Sequence, residues 1–217
     1  MSYRVVMDRV FSAATAANRD PGSVTVVAVS KTMDPSQVLA VYEQGHRDFG
    51  ENRADEMAEK AQQLPADIRW HFVGALQSNK ARLVRGVTYL LHSVDRVSLA
   101  NAWVKGHGLP PPVLVQVDLA GEEQKSGTTP DRASDLVETL LEMGLEVRGL
   151  MAIPPAPARP EDSRPYFVEL RRLRDRLAAD HPQIHDLSMG MTDDFEVAIS
   201  EGASIIRVGR AIFGDRT

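Results

Sequence analysis

Apolar positions in this chain form short, nearly continuous runs, separated by stretches where they recur every three or four residues. Eight runs predict strands, at residues 24–29, 48–49 with their flanks, 69–73, 89–94, 113–118, 146–153, 186–189 and 204–208. Several lack polar alternation, as strands buried on both faces do. The second is anomalous, because Arg47 and Asp48 are unusual in a buried strand. The intervening segments predict helices. Residues 35–44 follow Asp34, an N-cap candidate with proline at the first helical position, and stop at Gly45. Asn52 is expected to cap 53–63, and Asp95 to open 95–105. Helices are also expected over 79–85, 130–143 and 164–179, the last with Phe167, Leu170, Leu173 and Leu177 on one face. Asp193 or Asp194 opens a short helix ending at Gly202. Ahead of them all, Val5, Val6, Val10, Ala13, Ala14 and Ala17 recur near helical spacing.

Strand and helix in strict alternation mean a parallel sheet, and eight strands predict a single-domain (β/α)8 TIM barrel over residues 1–217. No long helix follows the eighth strand, so the N-terminal helix is expected to close the ring. An open doubly wound sheet is the alternative; it would more often show a glycine-rich turn after its first strand. Here that turn is Ser30-Lys31-Thr32. Residues 154–165 hold five prolines and predict a stiff, extended loop above the barrel mouth.

Composition narrows the chemistry. The net charge of −5 argues against a nucleic-acid-binding face. The absence of cysteine excludes disulfides, thiolate metal sites and thiol nucleophiles. No apolar stretch is long enough to span a bilayer, and the N-terminus, which mixes Arg4 and Arg9 with Asp8, does not read as a signal peptide. A cytoplasmic location is the expectation. An amine nucleophile has five side-chain candidates: Lys31, Lys60, Lys80, Lys105 and Lys125.

In such barrels chemistry sits on the loops after the strands' C-terminal ends. Lys31 closes an apolar strand, where desolvation favours the free amine that attacks carbonyls; a lysine reaching out to solvent is the plain alternative. Strand seven ends Ser188-Met189-Gly190-Met191-Thr192 before a helix start, which has the makings of a phosphate cradle; Asp193 and Asp194 there would instead cap the helix and repel phosphate. Strand eight ends Arg207-Val208-Gly209-Arg210, and Gly209 permits close backbone approach. Closure of the barrel would bring Lys31 beside both loops. The combination implies a phosphorylated carbonyl compound: pyridoxal 5′-phosphate (PLP), or a sugar phosphate in an aldolase.

The motifs taken together resemble the pyridoxal phosphate homeostasis protein family, relatives of the barrel domain of bacterial alanine racemases. They are Val27-Ala28-Val29-Ser30-Lys31-Thr32, Phe49-Gly50-Glu51-Asn52, Trp70-His71-Phe72-Val73-Gly74, Leu76-Gln77-Ser78-Asn79-Lys80 and Lys125-Ser126-Gly127. Further along come Gly149-Leu150-Met151-Ala152-Ile153-Pro154, Leu187-Ser188-Met189-Gly190-Met191, Ile206-Arg207-Val208-Gly209 and Ala211-Ile212-Phe213-Gly214. The resemblance implies that Lys31 forms a Schiff base with PLP. It places Ser188, Met189, Gly190 and Gly209 at the phosphate, Arg207 at the pyridine nitrogen, Met151 and Asn52 near the ring, and His71 as a possible neighbour. An arginine, which only donates, leaves that nitrogen unprotonated and the ring a weaker electron sink. Two positions depart from the family: Arg210 stands where many relatives carry a phosphate-touching threonine, and Ala75 where proline is usual.

Racemases of this kind add a second domain and a tyrosine acid/base. Tyr3, Tyr42, Tyr89 and Tyr166 sit at no clearly suitable loop, and racemisation needs groups on both faces of the substrate. The expectation is therefore a non-catalytic PLP carrier with no metal and no membrane or nucleic-acid partner. It would be a monomer and would meet apo PLP-dependent enzymes transiently. A weak amino-acid racemase is the alternative. His181 and His185, four apart but interrupted by Pro182, are expected to be no metal site. Glu122 and Glu123 read as a solvated loop, and Arg171, Arg172, Arg174 and Arg176 as an exposed helix face.

Overall fold

The computed structural model describes residues 2–121 and 126–214; Glu122, Glu123, Gln124 and Lys125, with their expected loop and motif, lie outside the described residues. Strands β1 (Thr25–Val29), β2 (Asp48–Glu51), β3 (Arg69–Phe72), β4 (Thr88–Val94), β5 (Val113–Gln116), β6 (Val147–Met151), β7 (Asp186–Ser188) and β8 (Ile205–Val208) form a parallel barrel in which each pairs with the next in chain order. The ring closes through β8 and β1, where Val27 stands opposite Arg207. The expected closed barrel is therefore present, and the open sheet is not.

Strand alternation divides the core into two shells. Side chains pointing outward, among them Phe49, Trp70, Phe72 and Leu187, pack against the helices. Those pointing inward fill the lumen: Val27, Leu90, Leu114, Met151 and Ile205, reaching Val29 and Val73. The helices are α1 (Tyr3–Ala16), α2 (Pro35–Tyr42), α3 (Ala54–Gln63), α4 (Ala81–Val84) and α5 (Val97–Val104), then α6 (Ala133–Glu142), α7 (Arg164–Asp180), α8 (Phe195–Ser200) and α9 (Arg210–Phe213). Helix α9 is a single turn. Helix α1 buries Val6, Val10 and Ala14 and packs on α8 and α9, closing the ring as expected. Its Arg9 guanidinium lies 4.6 Å from the Phe195 ring centroid and pairs with Glu196.

Helix starts differ from expectation for local reasons. Asp34 does cap α2, in a full capping box with Gln37. Helix α3 instead begins after Arg53, because Asn52 turns into the barrel mouth. Helix α5 begins at Val97, since the Asp95 carboxylate pairs with Arg96 and caps nothing. Residues 130–132 form a turn ahead of α6. The proline-rich stretch is irregular only to Arg159; Pro160–Ser163 is a 3-10 turn and Pro165 falls in the first turn of α7, where its missing N–H costs nothing. No helix among the described residues is long and apolar enough to cross a membrane.

Candidate functional site

A cavity of about 290 Å³ opens at the C-terminal end of the barrel. Val29, Lys31 and Met33 reach it from the end of β1, and Asn52 from the end of β2. Val73 and Gly74 follow β3, Ile153 follows β6, and Met191, Thr192 and Asp193 follow β7. Arg207, Gly209 and Arg210 complete the wall beside Lys31, as the pairing of β8 with β1 requires. A wider cleft of about 610 Å³ between α1 and α8 holds none of these strand-end residues, and its Arg9 and Arg164 are paired with Glu196 and Glu161.

The cavity floor is polar at one point. Arg207 is buried; its Nη1 donates to Ser188 Oγ (2.7 Å) and its Nη2 to the Ala152 carbonyl (2.8 Å). Burial pushes its guanidinium down to about 10, which still leaves it charged at neutral pH. Ser188 is the first link of a chain through the lumen. The Ser188 hydroxyl meets His92 Nδ1 at 2.8 Å, His92 Nε2 meets His71 Nδ1 at 2.9 Å, and His71 Nε2 meets Asp48 Oδ1 at 3.2 Å. Burial lowers both imidazoles below the usual histidine range, His92 well below it. Burial alone would raise the Asp48 carboxyl, but hydrogen bonds from Arg69 and His71 hold it well below the usual carboxylate range. With Asp48 ionised and able only to accept, the direction of every bond follows. His71 donates from Nε2 to Asp48 and accepts at Nδ1 from His92. His92 accepts at Nδ1 from Ser188, and Ser188 accepts from Arg207. Each donor points away from the cavity, so Arg207 faces it as a donor only.

The loop after β7 is ordered by acids, in a way the sequence did not suggest. Asp194 stands at the N-cap position of α8 as expected, but its side chain does not cap the helix; it is buried, its Oδ1 accepts from the Met191 N–H (2.7 Å) and its Oδ2 from Ser163 Oγ (2.7 Å). The Met191 N–H is thus already taken. Asp193 pairs with Arg210 at the rim, which removes its repulsion toward an anion. Gly190 has φ +91°, and a Cβ there would lie 2.5 Å from the Ala198 Cβ, so this glycine lets the loop press against α8. A Cβ on Gly209 would come within 3.1 Å of the Val29 carbonyl.

Of the residues singled out from sequence, Lys31, Asn52, Arg207, Gly209 and Arg210 line the cavity. Met151 belongs to the lumen cluster, Met189 packs outward into the shell between sheet and helices, and the Ser188 hydroxyl is committed to His92 and Arg207. His71 stands in the lumen and not at the cavity wall. His181 bonds Glu138, while His185 lies 3.9 Å from Asp186. Sequence reasoning missed His92, and it missed that Asp194 ties down the Met191 N–H. The inward phase of Leu90 on β4 would have pointed to His92, two residues on.

The family described as "Alanine racemase, N-terminal domain" matches residues 13–217. The pyridoxal phosphate homeostasis protein of Aquifex aeolicus (strain VF5) is 41% identical over 217 residues, covering 97% of this chain and 95% of that one. A solved structure of a protein from Bifidobacterium adolescentis superposes with a TM-score of 0.91 at 36% identity, over 97% of this chain and 92% of that one. PipY of Synechococcus elongatus PCC7942, solved with PLP bound, gives a TM-score of 0.79 at 32% identity over 96% and 100% of the two chains. The chain belongs to the alanine racemase N-terminal domain family, among the pyridoxal phosphate homeostasis proteins within it.

Proposed function

We propose that this protein binds PLP at the barrel mouth through a Schiff base on Lys31 and serves PLP homeostasis as a carrier without robust catalysis. The observation that carries this reading is the meeting of Lys31 and the buried Arg207 on one cavity wall, beside an Asn52 Oδ1 that is buried without a hydrogen-bond partner. An amine, a ring-facing cation and an unsatisfied acceptor suit an aldehyde-bearing pyridine with a phenolic hydroxyl. Thr192, on the loop that carries Met189 and Gly190 on from Ser188, together with Gly209 and Arg210 after β8, forms the end that receives the phosphate. Met151 supports the ring from the lumen cluster.

Bound PLP supplies an electron-withdrawing ring to whatever amine it holds. This chain's residues limit that effect: Arg207 donates to the ring nitrogen and offers it no proton. No tyrosine lines the cavity among the described residues, so the tyrosine acid/base that the related racemases use has no counterpart there. The same reading makes the protein a cytoplasmic monomer that meets apo PLP-dependent enzymes transiently.

Titration with PLP tests it. A visible absorption band should form with the wild-type protein and be lost in Lys31→Ala, with no racemisation of L-amino acids above the rate of free PLP. A band that persists in Lys31→Ala would overturn the site, and Lys31-dependent racemisation would favour the weak racemase.

A further inference from the structure

Outside the barrel wall, directly behind Lys31, a second lysine is buried. Lys60 of α3 is 4% exposed, and its Nζ lies 2.7 Å from each of three acceptors: the Ser30 carbonyl, Glu51 Oε1 and Glu56 Oε1. An ammonium has three protons, and all three are used. Lys60 is therefore not a competing nucleophile.

Its partners grip the chain on both sides of Lys31. Ser30 Oγ donates to Glu51 Oε1 (2.7 Å), and the Ser30 N–H donates to the Gly50 carbonyl (2.9 Å). On the far side, the Thr32 N–H donates to Glu56 Oε1 (2.5 Å). Thr32 is held at φ +65°, a left-handed conformation that a β-branched residue avoids unless its surroundings impose it. Strand alternation then does the rest: Ser30 faces the helix layer, so the next side chain, Lys31, faces the cavity. Glu51 is fully buried, and burial raises its carboxyl against the pull of Lys60 and Ser30. A three-residue turn thus carries a buried ionic cluster on its back, a costly arrangement for a connector.

We infer that Lys60, with Glu51 and Glu56, is a positioning residue that clamps the backbone on either side of Lys31 and aims its amine at a bound aldehyde. The inference rests on the PLP reading above. In the step served, the Lys31 amine, having given its ammonium proton to solvent, adds to the aldehyde carbon; one water leaves and a C=N bond remains. The clamp takes no part in the bond changes. It fixes the angle of attack, and misplacement of about 1 Å from a change outside the chemistry can cost roughly a hundredfold in rate.

The test compares two ligands that share ring and phosphate. PLP can condense with Lys31; pyridoxine 5′-phosphate, an alcohol at that carbon, cannot. Lys60→Met, Glu56→Ala and Glu56→Gln are measured against wild type for affinity toward both and for the rate of band formation with PLP. Glu56 lies partly at the surface, so Glu56→Ala keeps the test open if Lys60→Met does not fold. The expected result is that Lys60→Met and Glu56→Ala keep pyridoxine phosphate affinity within about twofold and slow condensation by roughly tenfold or more. Glu56→Gln, which still offers Thr32 an acceptor, should restore most of the rate. Equal losses for both ligands, or no loss for either, would overturn the clamp. A wild-type protein that bound neither ligand would overturn the PLP reading beneath it.

Discussion

Lys31 was legible from sequence because it is a cation at the end of an apolar strand, where charge is costly without a use, whereas Arg207 was singled out only through the family resemblance. What each does to its neighbours was not legible. Arg210 shows the difference. It stands at the cavity rim paired with Asp193, and both side chains are more than half exposed. Such a pair contributes less than about 1 kcal/mol to stability. Arg210→Thr should therefore leave the unfolding midpoint in denaturant nearly unchanged. If Arg210 serves the phosphate as proposed, the same variant weakens PLP binding several-fold, and more so at low salt; unchanged affinity at low salt would remove Arg210 from the site.

At the scale of elements, the order of strands and helices could be read off, since apolar runs and helical periodicity differ over whole segments. Helix starts were less accessible, because Asn52 and Asp95, each chemically fit to be a cap, turn to the cavity and to Arg96 instead; Asp194 does stand at the start of α8, but its carboxylate serves Met191 and Ser163. The anomaly of β2 now has its reason. Asp48 faces the lumen and is bonded by Arg69 and His71 from β3. The β7–α8 connection offers an element-scale prediction. Gly190→Ala demands a positive φ of an L-residue and drives its Cβ into Ala198. A cost of about 2 kcal/mol or more is expected in chemical denaturation. A neutral result would mean that this loop is not pressed on α8.

Across the whole molecule, the hydrogen-bonded chain from Asp48 to Arg207 joins five strands whose residues lie up to 159 positions apart. No local pattern announces it. Only closure of the barrel, in the observed register, stacks these inward positions. It also sets a pH response. Burial lowers His46, His71 and His92 in the folded protein. Unfolded, they take up protons near pH 6.5, so stability is full above that value and is lost as pH falls below it, by up to roughly 1.4 kcal/mol per pH unit for each histidine. Glu51, raised by burial, acts in the opposite sense just above the usual carboxylate range. The melting temperature should accordingly fall between pH 7 and 5.5. His92→Gln, which keeps a donor and an acceptor in the chain but cannot titrate, should fall less steeply; a wild-type slope in that variant would show that His92 does not titrate on unfolding.

The central claim is that Lys31, and no other lysine, holds PLP covalently. Borohydride reduction of the PLP-loaded protein followed by peptide mass mapping tests it most directly. The account predicts bleaching of the visible band and one pyridoxyl-phosphate label, on Lys31. No label, or label spread over Lys60, Lys80, Lys105 and Lys125 with Lys31 unmodified, would contradict it.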